Sequence, residues 1–362
     1  MLTIFDKYII KKYLATFFFS AFLFTLLSVV IDFSEKVESF MDSDATASQV
    51  ITEYYINFIP WINGILWPLF ALLAVVFFTS RLAKNSEIVA ALSAGMSFGR
   101  LLRPFMITAF ALAFIHFVGS HYFIPEGNKT FRNFDNTYIH PGNLETKSQN
   151  VHIFLNPDSK IFIRNYRRSD TSMRGVFLEL FEDGELITLT KAERMKWVGS
   201  PGRWTLYDYQ IREFRGEDES IVIGKGLSFD TTLNLLPKDF VRYNNQREMM
   251  TSSELRDFIA YENEKGLGKA RIMVTELHRR NADPFTIIVL TLIGVAVAAR
   301  NARGGVGVHL AIGVSIGALY IILSRFSITF ANQLSLPIGL SVWLPNIFFS
   351  IVAIILVIRA QK

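Results

Sequence analysis

Chemistry in this sequence would have to come from a few charged side chains set beside long apolar runs. Arg325 stands inside one such run, Val306 to Phe330. A charge at mid-bilayer depth costs roughly 2.5–3.5 kcal/mol on insertion scales, so it must face protein or a wet cavity. Lys36, Arg132, Arg271, Arg279 and Arg280 fall near the ends of other runs, on what the charge pattern makes the same membrane edge. Arg and Lys pair well with phosphate. A cluster of them there suits an anionic amphiphile whose tails lie among the spans. The same positions read equally well as interfacial anchors that pair with Asp32, Glu35 and Glu276.

Other chemistries find less support. Gly95-Met96-Ser97-Phe98-Gly99 matches a G-x-S-x-G nucleophile pattern, but that pattern needs a strand before it and a helix after it. Here a helical stretch precedes and an apolar span follows. The six His are scattered with no H-E-x-x-H, and His116 and His121 would not share a helical face, so a polar site in a bundle is preferred to a metal site. No G-x-x-x-x-G-K-[ST] is present, so ATP hydrolysis is not expected in this chain. The absence of Cys removes disulfides, Cys-ligated zinc and thiol catalysis. Gly313-x-x-x-Gly317 would let its span approach a neighbour closely, either another chain or one of its own helices.

The stretch that orients these residues is RLAKNSEIVAALSAGMSFGRLLR, Arg81 to Arg103. It holds Arg81, Lys84, Arg100 and Arg103 against the single acid Glu87. Short loops this basic stay on the cytoplasmic side. Within it Ser86 to Ala94 reads as a helix, with Ser86 as N-cap, Glu87 in the first turn and Gly95 closing the far end. Ile88, Ala91 and Leu92 share one side at i, i+3, i+4 spacing. That side could dock into a groove of another protein, or lie on the bilayer surface.

The positioning elements follow from composition. Of 362 residues 51% are hydrophobic, including 33 Phe, and the mean hydropathy is +0.30. Six runs are long enough to cross a hydrocarbon core: Tyr13–Ile31, Ile56–Thr79, Leu101–Phe123, Pro284–Ala299, Val306–Phe330 and Gly339–Ile358. Pro60 and Pro68 should kink the second, and Ala270 to Asn281 should extend the fourth backwards. Lys7, Lys11 and Lys12 precede the first run without a small-residue cleavage site after it, so it reads as a retained span. The acidic Asp32–Glu53 loop belongs outside, while Arg300, Arg303, Arg359 and Lys362 belong inside, which puts both termini in the cytoplasm. Arg271, Arg279 and Arg280 then sit outside, which the bias tolerates after a large exported segment. The net charge of +5 reflects these membrane-edge bases and calls for no nucleic acid.

Between the third and fourth runs the composition becomes that of a soluble domain. Segments such as VHIFL, KIFIRNY, GVFLELF and RWTLYDYQIREF are separated by NPDS, EDGE and GSPG turns. They predict an antiparallel sandwich, roll or open barrel over about 125–250. A helix capped by Ser252 or Ser253 follows. The fold class is therefore an α+β membrane protein, divided as spans one to three over 1–124, the β-rich insert over 125–250, and a linker helix with spans four to six over 251–362.

Several stretches, taken in order, resemble the LptF/LptG family, the transmembrane subunits of the lipopolysaccharide-export ABC transporter. D-K-Y-I-I at Asp6–Ile10 resembles the family's opening, and SEIVAALSAG at Ser86–Gly95 its coupling helix, with Glu87 at the acid that engages the ATPase. PEGNKTFRNF at Pro125–Phe134 is similar to a stretch whose Arg, here Arg132, is implicated in substrate contact. Met250 to Pro284 resembles the family's linker into the fourth span. The opening and the Arg132 stretch lean towards the LptG type. One departure stands out: where members often carry Lys at the outer end of span one, this chain has Asp32, with Lys36 one turn further on.

The resemblance implies a non-catalytic permease of the bacterial inner membrane. It would work with a sister permease, a cytoplasmic ATPase dimer that holds the ATP–Mg, a periplasmic β-jellyroll bridge protein and that protein's membrane-anchored relative. Ser86, Glu87, Ile88, Ala91 and Leu92 would couple to the ATPase. The insert would be a periplasmic β-jellyroll-like domain, and lipopolysaccharide among membrane lipids would be the cargo. Alternatives are a permease for another lipid or lipoprotein, a membrane-anchored partner-binding protein, and a membrane enzyme using Ser97 or a His. The topology is directly testable because the background lacks Cys. Ser200→Cys should react with an impermeant thiol reagent applied to intact spheroplasts and Ser86→Cys should not; the reverse pattern inverts the topology.

Overall fold

A computed structural model describes residues 2–140, 144–146, 149–216, 218–243, 245–265, 270–299, 305–333 and 336–360. The helices are α1 (Ile4–Asp42), α2 (Ala47–Gln49), α3 (Ile56–Lys84), α4 (Glu87–Ser93), α5 (Phe98–Val118), α6 (Ile124–Phe134), α7 (Gln246–Met249), α8 (Ser252–Lys265), α9 (Ala270–Ala298), α10 (Gly305–Gln333) and α11 (Ile338–Ala360). Single π-helical turns at Val50–Tyr55 and Gly119–Phe123 join α2 to α3 and α5 to α6. Among the described residues six helical segments are long and apolar enough to cross a membrane. The chain forms two compact units. One comprises Met1–Ile139, Arg247–Ser252 and Arg271–Lys362, and the other His140–Gln246 and Ser253–Ala270.

Three boundaries differ from those read in the sequence. The acidic loop is much shorter than Asp32–Glu53, because α1 runs on to Asp42 with Lys36 bridging back to Asp32 at 2.9 Å, one turn away. Pro125–Phe134 is helical rather than the start of the β insert, since Phe131 and Phe134 pack with Phe40, Tyr54 and Phe58 of the span unit. Helix α8 begins at Ser252 itself, whose hydroxyl accepts from Arg280 Nη1 (3.2 Å) instead of capping. The inside turn at Arg300 and Arg303 lies outside the described residues, as does Lys362.

Hydrocarbon offers no hydrogen bonds, so each Pro in a span leaves a carbonyl that the protein must satisfy. Pro68 frees the Gly64 carbonyl, and His116 Nε2 from α5 donates to it at 2.9 Å. Pro345 frees the Ser341 carbonyl, which accepts from the Ser327 hydroxyl of α10. Glycines set the close approaches. Gly313 and Gly317 of α10 lie against Val76, Leu69 and Leu72 of α3, so that pair serves packing within this chain. Gly294 of α9 meets Val75 of α3.

In the β unit, β2 (Gln149–Asn156), β3 (Ser159–Arg167), β4 (Ser172–Glu182), β5 (Glu185–Gly199), β6 (Arg203–Arg215) and β7 (Asp218–Thr232) form one antiparallel sheet. They pair in chain order, an open roll with no crossover. The ribbon β1 (Leu144–Thr146) and β8 (Val241–Tyr243) pairs separately. Alternation puts Val151, Ile153, Leu155, Ile161, Ile163, Met173, Val176 and Met195 on one apolar face around Trp204. Trp204 Nε1 donates to the Leu235 carbonyl (3.0 Å), and Tyr261 of α8 donates to Asp239 (2.5 Å).

A methyl group at Gly294 would sit 2.4 Å from Val75 Cγ1, a stiff β-branched neighbour, whereas one at Gly307 meets nothing within 4 Å. Gly294→Ala should therefore lower the melting temperature of the detergent-solubilised protein, by about 1–3 kcal/mol of overpacking. Gly307→Ala should leave it unchanged or raise it.

Candidate functional site

Helices α3, α5, α6, α7, α9 and α10 enclose a cavity of about 510 Å³. Its polar lining comes from the opening turns of α9 (Glu276, Arg279, Arg280, Asp283), from Arg247 and Glu248 of α7, and from Arg325 of α10. Deeper along the same helices the lining is apolar, with Ile65, Leu66, Leu69, Leu290 and Ile321. The arrangement follows from sequence order: α9 changes at Pro284 from a charged, interface-like segment to the apolar run Phe285–Ala298. The cavity therefore has the chemistry of an amphiphile, charged at one end and greasy at the other.

Glu276 holds the charged end together. It is 5% exposed and accepts from Arg279 Nε and Nη2 (3.0 and 2.8 Å) and from Arg280 Nε (3.1 Å). Arg279 Nη1 continues to Asp283 at 2.8 Å. Arg280 Nη2 reaches the Arg247 carbonyl (2.9 Å), tying α9 to α7. These two acids and two bases sum to zero. A second neutral pair lies beside them: Arg132 of α6 donates to Glu248 (3.2 Å) and stacks over Trp61, whose Nε1 donates to the same carboxylate (3.3 Å). Further down, Thr286, Tyr320 and Asn346 form a buried hydroxyl–amide cluster, in which Tyr320 donates to Asn346 Oδ1 at 3.1 Å.

The second candidate feature is α4. Ser86 stands at its N-cap position with φ +61°, a left-handed conformation, and makes no side-chain cap bond. Gly95 closes the helix at φ +89°, with its N–H on the Leu92 carbonyl and the Met96 N–H on Ala91. Ile88 is buried in the span core beside Ile9, Leu82 and Phe98, so it anchors α4 instead of facing a partner. The exposed apolar side is carried by Val89 and Leu92, with Ala91 half-buried. Ser97 of the G-x-S-x-G match caps α5, accepting from Arg100 N at 3.2 Å, which accounts for that serine without catalysis.

The sequence profile of the lipopolysaccharide export system permease LptF/LptG family matches residues 7–359. The chain belongs to the LptF/LptG family. It is similar to the lipopolysaccharide export system permease protein LptG of Haemophilus influenzae, with 22% identity over 356 residues covering 96% of each chain. It is also similar to LptG of Escherichia coli K12, with 21% identity over 359 residues covering 98% of each. The protein is thus a multi-pass inner-membrane permease of a lipopolysaccharide transport complex, and its resemblance leans to the LptG type.

For an LptF/LptG permease the standing of each cation matters. Arg279, Arg280 and Arg325 line the cavity, and Arg132 reaches it through Glu248. Lys36 and Arg271 are absent from its lining. Lys36 is held by Asp32 and the Tyr54 hydroxyl, and Tyr54 and Tyr55 also donate to Asp32 (3.1 and 3.3 Å). Arg271 donates to the carbonyls of Ala331 (2.6 Å) and Leu336 (2.8 Å), capping the end of α10. Arg325 makes no side-chain hydrogen bond or ion pair with any described residue. Sequence reasoning missed Asp283, Glu248, Tyr320 and Asn346. Only Asp283, an acid directly before an apolar run, carried a signal that could have marked it.

These roles separate under mutation. Glu276→Ala leaves Arg280, 3% exposed, without an acid, and should destabilise the permease by about 3–5 kcal/mol. Arg325→Ala should leave the melting temperature unaltered. Thermal unfolding of the two purified variants side by side checks both expectations.

Proposed function

We propose that this permease takes lipopolysaccharide from the outer leaflet of the inner membrane and passes it to a periplasmic β-jellyroll bridge, driven by an ATPase dimer in the cytoplasm. In this reading both termini and α4 face the cytoplasm and the β unit is periplasmic. ATP–Mg is held by the partner ATPase and this chain carries no cofactor. A sister permease completes the path, and the bridge protein's membrane-anchored relative is a further partner. Withdrawing acyl chains from a bilayer costs about 0.8 kcal/mol per CH₂ exposed, so the step needs an energy-coupled push and an apolar receiver.

The observation that carries this reading is Arg325, which with Arg247 is a cavity-lining cation that has no ion pair with a described residue, while Glu276, Arg279, Arg280 and Asp283 pair among themselves and Glu248 pairs with Arg132. Buried acid–base pairs leave little net attraction for a further anion, whereas an Arg without an acid partner retains its bidentate match to phosphate. Arg132, Arg279 and Arg280 then shape the charged end, and the apolar lining suits acyl chains. The coverage of the spans supports a sister permease. In α9, 72% of the apolar window is buried within this chain, but only 11% in α1 and 22% in α10. Those two helices have apolar surface to give to lipid and to a second subunit.

A photo-crosslinking residue in place of Arg325, in the complete transporter in cells, tests the reading. Adducts carrying lipopolysaccharide are expected, and they should build up when ATP hydrolysis is blocked. Adducts carrying phospholipid alone would assign a different cargo. The absence of any lipid adduct, with transport intact, would remove Arg325 from the lipid path.

A further inference from the structure

The first turn of α1 brackets α4. Asp6 is fully buried and takes a bidentate pair from Arg100, Nη1 to Oδ1 at 2.6 Å and Nη2 to Oδ2 at 2.8 Å. Arg100 lies three residues into α5, just beyond the turn that ends α4. Its Nη2 also reaches Thr3 Oγ1 (3.1 Å), while Thr3 N donates to Asp6 Oδ2 (2.8 Å). On the other flank the Tyr8 hydroxyl faces Glu87 Oε2 at 3.5 Å, and the Tyr8 ring packs edge-on to Phe78 near the end of α3. Beneath them Ile9, Ile88 and Phe98 share one core. The start of span one therefore grips Arg100 in the first turn of α5 and touches Glu87, the residue that opens α4.

A bidentate Arg–carboxylate pair fixes direction as well as distance, and here the carboxylate is buried while the guanidinium is partly exposed. Simple anchoring of an N-terminus would be met by the Thr3 cap and the Ile9 contact alone. One face of α1 packs on the core through Ile9, Tyr13, Phe17 and Ala21, while its apolar window as a whole has the lowest buried share of the six spans, 11%, so the helix is held along a single stripe. We infer that Asp6 and Arg100 are a positioning pair that ties the α4–α5 corner to span one, so that displacement of the coupling helix moves the lipid-facing span together with the start of span three. This rests on the reading of α4 as the ATPase-coupling helix.

The experiment uses the complete permease–ATPase complex in lipid nanodiscs and measures ATPase capture, ATP hydrolysis, lipopolysaccharide released per ATP, and melting temperature. Asp6→Asn keeps the shape and a cap acceptor but loses the ion pair. It should retain ATPase capture, hydrolyse ATP within about two-fold of the parent, and release at least five-fold less lipid per ATP. Arg100→Lys, with the charge but not the fork, should fall between, and it tests the same step if Asp6→Asn fails to insert. Thr3→Ala, which removes the cap and one Arg100 contact but keeps the bidentate bonds to Asp6, should lower the melting temperature with release per ATP unaltered. Unchanged release per ATP in both pair variants, or hydrolysis and release falling by one common factor, would overturn the inference and leave an anchor. Glu87→Lys separates the two claims: if it still captures ATPase and couples normally, the coupling-helix reading itself is wrong.

Discussion

The absence of water in hydrocarbon is the constraint on which the span unit depends. Every polar group carried into it must be met by another part of the chain. The two prolines whose freed carbonyls are met by side chains show how this builds tertiary structure. Gly64 O, released by Pro68, is met by His116, and Ser341 O, released by Pro345, is met by Ser327. Each joins one span to another at a fixed height. The Glu276–Arg279–Arg280–Asp283 cluster is the charged version of the same device, and it extends the joinery to α7 through the Arg247 carbonyl. A buried pair of this kind adds little net stability over an apolar packing. Its effect is to determine which helices meet and at what register.

The same device sorts the cations. The sequence offered six basic residues as equals, and the structure divides them by partner. Lys36 is taken by Asp32 and Tyr54, Arg271 by the end of α10, Arg132 by Glu248, and Arg279 and Arg280 by Glu276. The family's Lys at the outer end of span one has no counterpart at Asp32. Here Lys36, one turn on, is drawn back by that very Asp. A lipid phosphate arriving at the cavity would have to break a neutral pair to reach most of these bases, but not to reach Arg325.

What the sequence made legible is what depends on composition and short-range pattern. Six spans follow from apolar length, the β insert from alternation and turn residues, and the end of α4 from Gly95, which alone fits φ +89° without strain. Pairing over long separations was hidden. Nothing local to Asp6 points to Arg100, 94 positions away, and nothing local to Arg132 points to Glu248. Ile88 shows the same limit at short range. On a seven-residue helix both the Ile88–Ala91 side and the Val89–Leu92 side are apolar, so periodicity cannot say which one the rest of the chain covers. The extension of α1 past Asp32 was obscured for another reason: acidic residues read as a loop, yet an i,i+4 ion pair and no breaker let the helix run on.

Coverage within the span unit also divides stiff parts from movable ones. Helix α9 is mostly enclosed, pinned by its ion cluster at one end and by Gly294 against Val75 further along. It can serve as the spine against which others shift. Helix α1 is the opposite case. Its apolar length is largely bare, and its polar ties to other helices cluster near its two ends, at Asp6 and Asp32, with Tyr13 and Thr25 making lighter contacts between them. A rod held in this way can roll about the stripe of Ile9, Tyr13, Phe17 and Ala21 that packs on the core, while its other faces stay uncovered. A permease that must open to a bulky lipid and then expel it needs such a contrast between spine and rod, because close-packed interiors shift between discrete arrangements instead of deforming smoothly.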